Sequence, residues 1–262
     1  MEHGTHPLDA VALVLYQPQD VVNVAAIIRA MSNFGLSDLR LVEPAAFDPY
    51  RIAGIAHHTE PLIERTRRFP TLDAALADCG LVLGTTGRPR EVARPVYAPR
   101  DAAPAVLAGA RQRRVAILFG PEQDGLPNAA LDRCHGIICI PTHPFNRSLN
   151  LAQAALVVAY ELWMAAGSAD ARDAAPAGAE ASPPASGAEL QALFASVDAL
   201  LQALYPGGSE TRRAQAAARL RALLLRAVPR SEEATALTNL LRHAARASGL
   251  RRLDGQAGGH QV

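Results

Sequence analysis

Residues 119–127 read FGPEQDGLP and close the apolar run VAILFG at 115–120. An apolar run that breaks into a glycine-bracketed polar loop is how a buried strand of a parallel sheet ends. Gly120 and Gly125 bracket four residues, the glycine spacing of a phosphate-cradling P-loop. The Lys and Ser/Thr that would meet phosphate and magnesium are replaced by Leu126 and Pro127. Glu122 and Asp124 lie inside the loop, where carboxylates repel a triphosphate. The loop has the shape of a nucleotide site and the wrong charge for one.

The segments on either side repeat the strand-and-helix pattern. VALVLY (11–16) precedes a run in which Val24, Ile27, Ile28 and Met31 fall at helical spacing. LRLV (39–42), LVLG (81–84) and GIICIP (136–141) are further strand candidates, with a less clear helical stretch through 51–79. Residues 151–166 read as a long, mostly buried helix. Apolar strands separated by helices predict an α/β fold with a parallel sheet covered on both faces. Ligands of such sheets sit beyond the carboxyl ends of the strands. That points to three loops, TTGRPRE, GPEQDGLP and PTHPFNRSLN, each polar and too elaborate for a minimal connection. Any one of them alone reads as a turn; three at one edge of a sheet suggest a site.

With 49% hydrophobic and 19% charged residues, the chain is that of a globular protein, not a disordered one. The first ten residues lack a basic n-region, and the apolar stretch at 151–166 contains Gln153 and Glu161, which predicts a cytoplasmic protein with no membrane partner. Three widely spaced cysteines with no CxxC pair fit a reducing compartment. Cys134, His135, Cys139 and His143 could be imagined as a zinc set, but GIICI reads as buried strand, and no metal is expected. The 26 basic residues are all Arg, which suits bidentate phosphate contacts whatever its origin in codon usage. Ten Arg against two Glu between 211 and 252 give that segment a charge of +8, a nucleic-acid footprint. Before it, 167–187 is an aperiodic Ala/Pro/Ser/Gly tract, read as a flexible linker. Helical patterns follow near 188–204, 210–227 and 231–248. The expected organisation is a main domain at 8–166, the linker, and an Arg-rich helical extension at 188–252.

Three segments together, NVAAIIRAMSNFGLSDLRLVEP (23–44), LFGPEQDGLP (118–127) and IPTHPFNRSLNLAQAALVVAYEL (140–162), resemble the motifs of the SpoU-type RNA 2′-O-ribose methyltransferases of the SPOUT superfamily. The match covers about residues 10–166, in the family's order. LVLGTTGRPRE (81–91) and the Arg-rich tail are similar to the branch that methylates cytidine or uridine in the tRNA anticodon loop, of the position 32 type. The resemblance implies a C-terminal trefoil knot in the sheet domain, a homodimer, S-adenosylmethionine as cofactor and tRNA as partner. Strand pattern alone would have argued against a knot.

Carried over residue by residue, the resemblance assigns catalytic roles to Asn23, Arg29, Ser148 and Asn150. It assigns cofactor contacts to Thr85, Thr86, Gly87, Gly120, Glu122, Ile140, Ser148 and Leu149. By composition alone Arg29 is an exposed helix arginine, Asn23 a helix cap, and Asn150 with Gln153 a capping arrangement. Guanidinium stays protonated, so orienting the hydroxyl and the substrate phosphate suits Arg29 better than literal base catalysis. Ala25 stands where relatives often have Gly, tightening the helix start. Glu122 is tolerable beside a sulfonium cation that carries no phosphate. In the tail, Arg212, Arg213, Arg219, Arg221 and Arg226 are the expected RNA contacts. A ribosomal-RNA methyltransferase and a non-catalytic RNA-binding protein of this fold are the alternatives. A nicotinamide enzyme would need G-x-G-x-x-G after the first strand, and YQPQDVVN has no glycine.

Overall fold

The computed structural model describes residues 6–87, 94–169 and 182–257. Among the described residues seven strands form one sheet: β1 (Val11–Tyr16), β2 (Asp38–Val42), β3 (Arg67–Phe69), β4 (Cys79–Thr85), β5 (Val96–Tyr97), β6 (Arg114–Phe119) and β7 (Gly136–Ile138). Their order is β3-β2-β1-β6-β4-β7-β5, and every pairing is parallel. The fold is α/β, as the apolar runs predicted. The edge strands β3 and β5 were not announced by any apolar run, because an edge position leaves their residues exposed or half-buried.

Successive residues of β1 serve opposite cores, as the two-residue period of a strand requires. Leu13 and Leu15 pack with α1 (Val21–Asn33), α5 (Pro99–Ala110) and α7 (Leu151–Ala169). Ala12 and Val14 pack on the other face with α4 (Leu72–Leu76) and α6 (Asn128–Leu131). Two short helices, α2 (Pro49–Ile55) and α3 (Glu60–Arg65), link β2 to β3. At the strands' N-terminal ends, fully buried Arg40 is paired to Asp38 at 3.0 Å and to Asp78. Arg67 and Arg114 add to Asp38 at 2.8 and 2.7 Å.

Strand β7 lies between β4 and β5, so the connection from β4 to β5 must cross the line of a strand laid down later in the chain. The expected knot would use that crossing; residues 88–93 of the connection, within the TTGRPRE loop, lie outside the described residues.

Three helices follow, α8 (Gly187–Leu204), α9 (Glu210–Ala227) and α10 (Ser231–Ala257). They share a small core of Leu190, Leu193, Phe194, Leu225 and Ala234. Of the tract expected to be a flexible linker, residues 170–181 lie outside the described residues. Its ends belong to regular structure: α7 runs to Ala169, and the Ala185 N–H donates to the Pro229 carbonyl at 2.7 Å. The helical unit docks at the N-terminal ends of β4 and β6. There Arg113 meets Glu189 at 3.1 Å and the Ala188 N–H donates to the Ala77 carbonyl at 3.1 Å. Gly187 permits this approach, since a Cβ there would lie 2.3 Å from the Leu76 carbonyl oxygen.

Candidate active site

The sheet order makes β6, β4 and β7 neighbours, so their carboxyl ends at Phe119, Thr85 and Ile138 open side by side. Between the three following loops lies a cleft of about 700 Å³. Thr85, Thr86, Gly87, Gly120, Glu122, Ile140, Ser148 and Leu149 all line it, over an apolar floor that includes Phe119, Ile138 and Leu151. Thr85 Oγ1 donates to the Leu118 carbonyl at 3.1 Å, and the Thr86 N–H donates to the Ile138 carbonyl at 3.1 Å, tying the three strand ends together.

The P-loop-like glycine spacing has a local cause. A Cβ on Gly120 would lie 2.3 Å from the peptide joining Gly125 and Leu126, so the loop closes on itself only with glycine there. Gly125 adopts φ +66°, in the left-handed region. Its N–H donates to the Pro121 carbonyl at 3.0 Å and completes the turn. Gly87 is constrained in the same manner, because a Cβ would stand 2.6 Å from the Arg147 carbonyl oxygen.

Glu122 is engaged with the protein. Its carboxylate accepts from the Gln19 N–H at 3.0 Å, the Asp20 N–H at 3.1 Å and Asn23 Nδ2 at 2.9 Å. Burial alone would raise its pKa, but these hydrogen bonds outweigh burial and hold the carboxyl below its usual value. Because a carboxylate only accepts, Asn23 must present its NH2 to it and turn Oδ1 outward. That Oδ1 accepts from Asn150 Nδ2 at 2.9 Å. Asn150 Oδ1 in turn accepts from the Ala152 N–H at 2.8 Å and the Gln153 N–H at 3.3 Å, capping α7. A single run of hydrogen bonds thus joins the loop after β6 to the first turns of α1 and α7. The family resemblance placed these residues in one site without revealing this order.

Arg29 lies elsewhere on α1. It is exposed, donates through Nη1 to the His57 carbonyl at 2.6 Å, and is not in the cleft wall. Ser148 is exposed on the cleft rim. Ala25 is fully buried in the core.

The five tail arginines divide into two sets. Arg213 donates to the carbonyls of Tyr205 and Gly208, both at 2.8 Å, and closes the α8–α9 turn. Arg221 pairs with Asp198 and lies over the Phe194 ring, 5.8 Å from its centroid, fastening α9 to α8. Arg212, Arg219 and Arg226 are exposed. They recur every seven residues and so share one helix face, about 10 Å apart along the axis.

Burial pushes the Cys134 thiol up to about 12 and the His135 imidazole down to about 4, leaving both neutral. His135 Nδ1 accepts from the Val82 N–H at 3.1 Å. Among the described residues no group of three or more His, Cys, Asp and Glu side chains is arranged to hold a metal, and no helix is long and apolar enough to cross a membrane.

Residues 10–160 match the model of the SpoU rRNA Methylase family. A tRNA (cytidine/uridine-2′-O-)-methyltransferase, TrmJ, of Cronobacter sakazakii is 34% identical over 89% of this chain and 95% of its own length. The Escherichia coli protein of the same name is 37% identical over 60% of this chain and 64% of its own. The crystal structure of TrmJ from Z. mobilis superposes with a TM-score of 0.75 at 34% identity, covering 88% of this chain and 97% of that one.

Proposed function

This chain belongs to the SpoU rRNA Methylase family, and from that premise we propose that it transfers a methyl group from S-adenosylmethionine to a ribose 2′-hydroxyl of tRNA. The observation that carries the reading is the convergence of eight cofactor candidates on one cleft at the ends of β6, β4 and β7. The residues fit the cofactor. An apolar floor with a neutral threonine and glycine rim suits an unphosphorylated nucleoside, and the acidic Glu122 side suits a sulfonium. When bound, S-adenosylmethionine supplies an electrophilic methyl for in-line displacement.

Thr85, Thr86, Gly87, Gly120, Ile140, Ser148 and Leu149 hold the nucleoside. Glu122 acts by orienting Asn23 and, through it, Asn150 and the loop that carries Ser148. Arg29 leaves the His57 carbonyl to position the target phosphate and its neighbouring hydroxyl. Arg212, Arg219 and Arg226 contact tRNA phosphates on α9. The match with the Cronobacter protein spans 95% of its length and so takes in the helical extension, which supports tRNA over ribosomal RNA. On this reading the target is a cytidine or uridine of the anticodon loop, at position 32, and the protein works in the cytoplasm.

A homodimer is supported by an exposed apolar face on α1 and α7, where Val22, Leu156, Tyr160, Trp163 and Met164 are between 42% and 50% exposed. A trefoil threading of the segment after β7 is supported by the position of β7 between β4 and β5.

The test is incubation with total tRNA and, in parallel, with ribosomal RNA, each with labelled S-adenosylmethionine, followed by mass spectrometry of the methylated nucleotide. Label in a ribose of the tRNA anticodon loop is expected. Label confined to ribosomal RNA would move the assignment to the ribosomal alternative, and none in either would leave an RNA-binding protein.

A further inference from the structure

One large apolar side chain at the mouth of the cleft stands in water. Phe145, in the loop between β7 and α7, is 95% exposed, although aromatic rings are ordinarily buried. It lines the cleft together with Arg147 and Ser148. The loop holds it there by construction. Residues 143–146 form a turn in which the Asn146 N–H donates to the His143 carbonyl at 2.9 Å, with Pro144 at the position that favours a turn. The Phe145 N–H also reaches His143 Nδ1 at 3.4 Å. Further along, the Arg147 carbonyl packs against Gly87, whose missing Cβ would come within 2.6 Å of that oxygen. The His143 ring stacks near the Phe145 ring, with centroids 5.4 Å apart and planes at 28°. The result is an aromatic platform, backed on one side, beside a guanidinium and above a nucleoside-sized cleft.

We propose that Phe145 is a stacking platform for an unpaired nucleobase of the substrate RNA, next to the nucleotide whose ribose enters the cleft. The proposal rests on the RNA methyltransferase reading and deepens it. A phenyl face held in water offers every base a π-surface, and single-stranded RNA loops are where bases are free to take one. A double-stranded substrate has no base to offer, so the platform selects loop nucleotides over helical ones. Phe145 is a substrate-positioning residue; it requires no contact with the cofactor.

The experiment compares the full-length wild-type protein with Phe145→Ala, Phe145→Trp and Phe145→Leu. It measures methyl transfer into unfractionated bacterial tRNA and the affinity for S-adenosylhomocysteine by calorimetry. Removing one base–aromatic stack is expected to lower kcat/KM for tRNA by roughly five- to a hundredfold. Phe145→Trp restores transfer, Phe145→Leu does not, and S-adenosylhomocysteine binds all four proteins equally. Wild-type turnover by Phe145→Ala overturns the proposal. So does rescue by Leu to the same extent as by Trp, or a parallel loss of S-adenosylhomocysteine affinity, either of which makes the ring a packing element of the loop. A wild-type protein that transfers no methyl to tRNA removes the functional reading itself, and the platform with it.

Discussion

Glu122 accepts three hydrogen bonds from the entry of α1, and the order of the site depends on its being an acceptor only. Glu122→Gln keeps the shape but presents an NH2 group to N–H donors. Loss of a charged acceptor of this kind costs about 1–3 kcal/mol. Chemical denaturation should register that loss, and methyl transfer should fall because Asn23 and Asn150 no longer have a forced orientation. Unchanged stability and turnover would contradict the relay. The sign of the pH effect follows from the lowered pKa. The contribution of Glu122 is full above its unfolded pKa of about 4.3 and is lost as pH falls through the lower folded value. Cofactor affinity should therefore not weaken through Glu122 between neutral pH and about pH 5. Arg29→Ala tests the other catalytic assignment, with transfer expected to vanish while S-adenosylhomocysteine affinity survives. Of these residues, motif order made the identities legible; that Glu122 orients Asn23, and Asn23 orients Asn150, depends on partners 99 and 127 residues apart.

Helix α9 shows why counting charges misreads an element. The +8 segment includes Arg213 and Arg221, whose hydrogen bonds are used within the helical unit, whereas Arg212, Arg219 and Arg226 face solvent. Replacing those three by Gln should lower the dependence of log affinity on log salt by about 2, from about 0.7 per single-strand phosphate contact. Filter binding of tRNA across a salt series measures the slope, and an unaltered slope would remove α9 from the interface. Arg221→Ala should instead lower the thermal stability of the helical unit, because both Asp198 and the Phe194 ring lose their partner. Helical periodicity made the element itself readable, while the split among its arginines required the packing of α8 against it.

Across the whole molecule, the charged cluster at the strands' N-terminal ends and the cleft at their carboxyl ends lie at opposite edges of the sheet. Burial opposes ionisation of Asp78, but its hydrogen bond to Arg40 prevails and holds the carboxyl at about 2; Asp38 is also lowered. Both contribute stability above the unfolded Asp value of about 3.9, and that stability is lost as pH falls through the folded values. An acid-unfolding titration should show the loss below about pH 4, and Arg40→Met, which leaves Asp38 to Arg67 and Arg114 alone, should cost about 1–3 kcal/mol at neutral pH. The helical extension docks at that same end, away from the cleft of its own chain. Deleting residues 188–262 should weaken tRNA affinity and flatten its salt dependence while leaving S-adenosylhomocysteine binding in place. Loss of cofactor binding on deletion would mean that the two ends are coupled.

What the amino-acid sequence determined by itself is local: the apolar runs that must be buried strands, the helices whose stripes repeat at 3.6 residues, and the three motifs that resemble the family's. The strands and helices follow from burial and periodicity within a dozen residues, and the motifs from their resemblance to a known family. Tertiary structure alone decided that β6, β4 and β7 are neighbours, so that loops far apart in the chain bound one cleft. It also decided that the glycines of FGPEQDGLP close that loop upon itself, that Glu122 holds α1 through Asn23, and that Phe145 stands in water at the rim. Strand order and hydrogen-bond partners are contacts between distant segments, and no period within one segment encodes them.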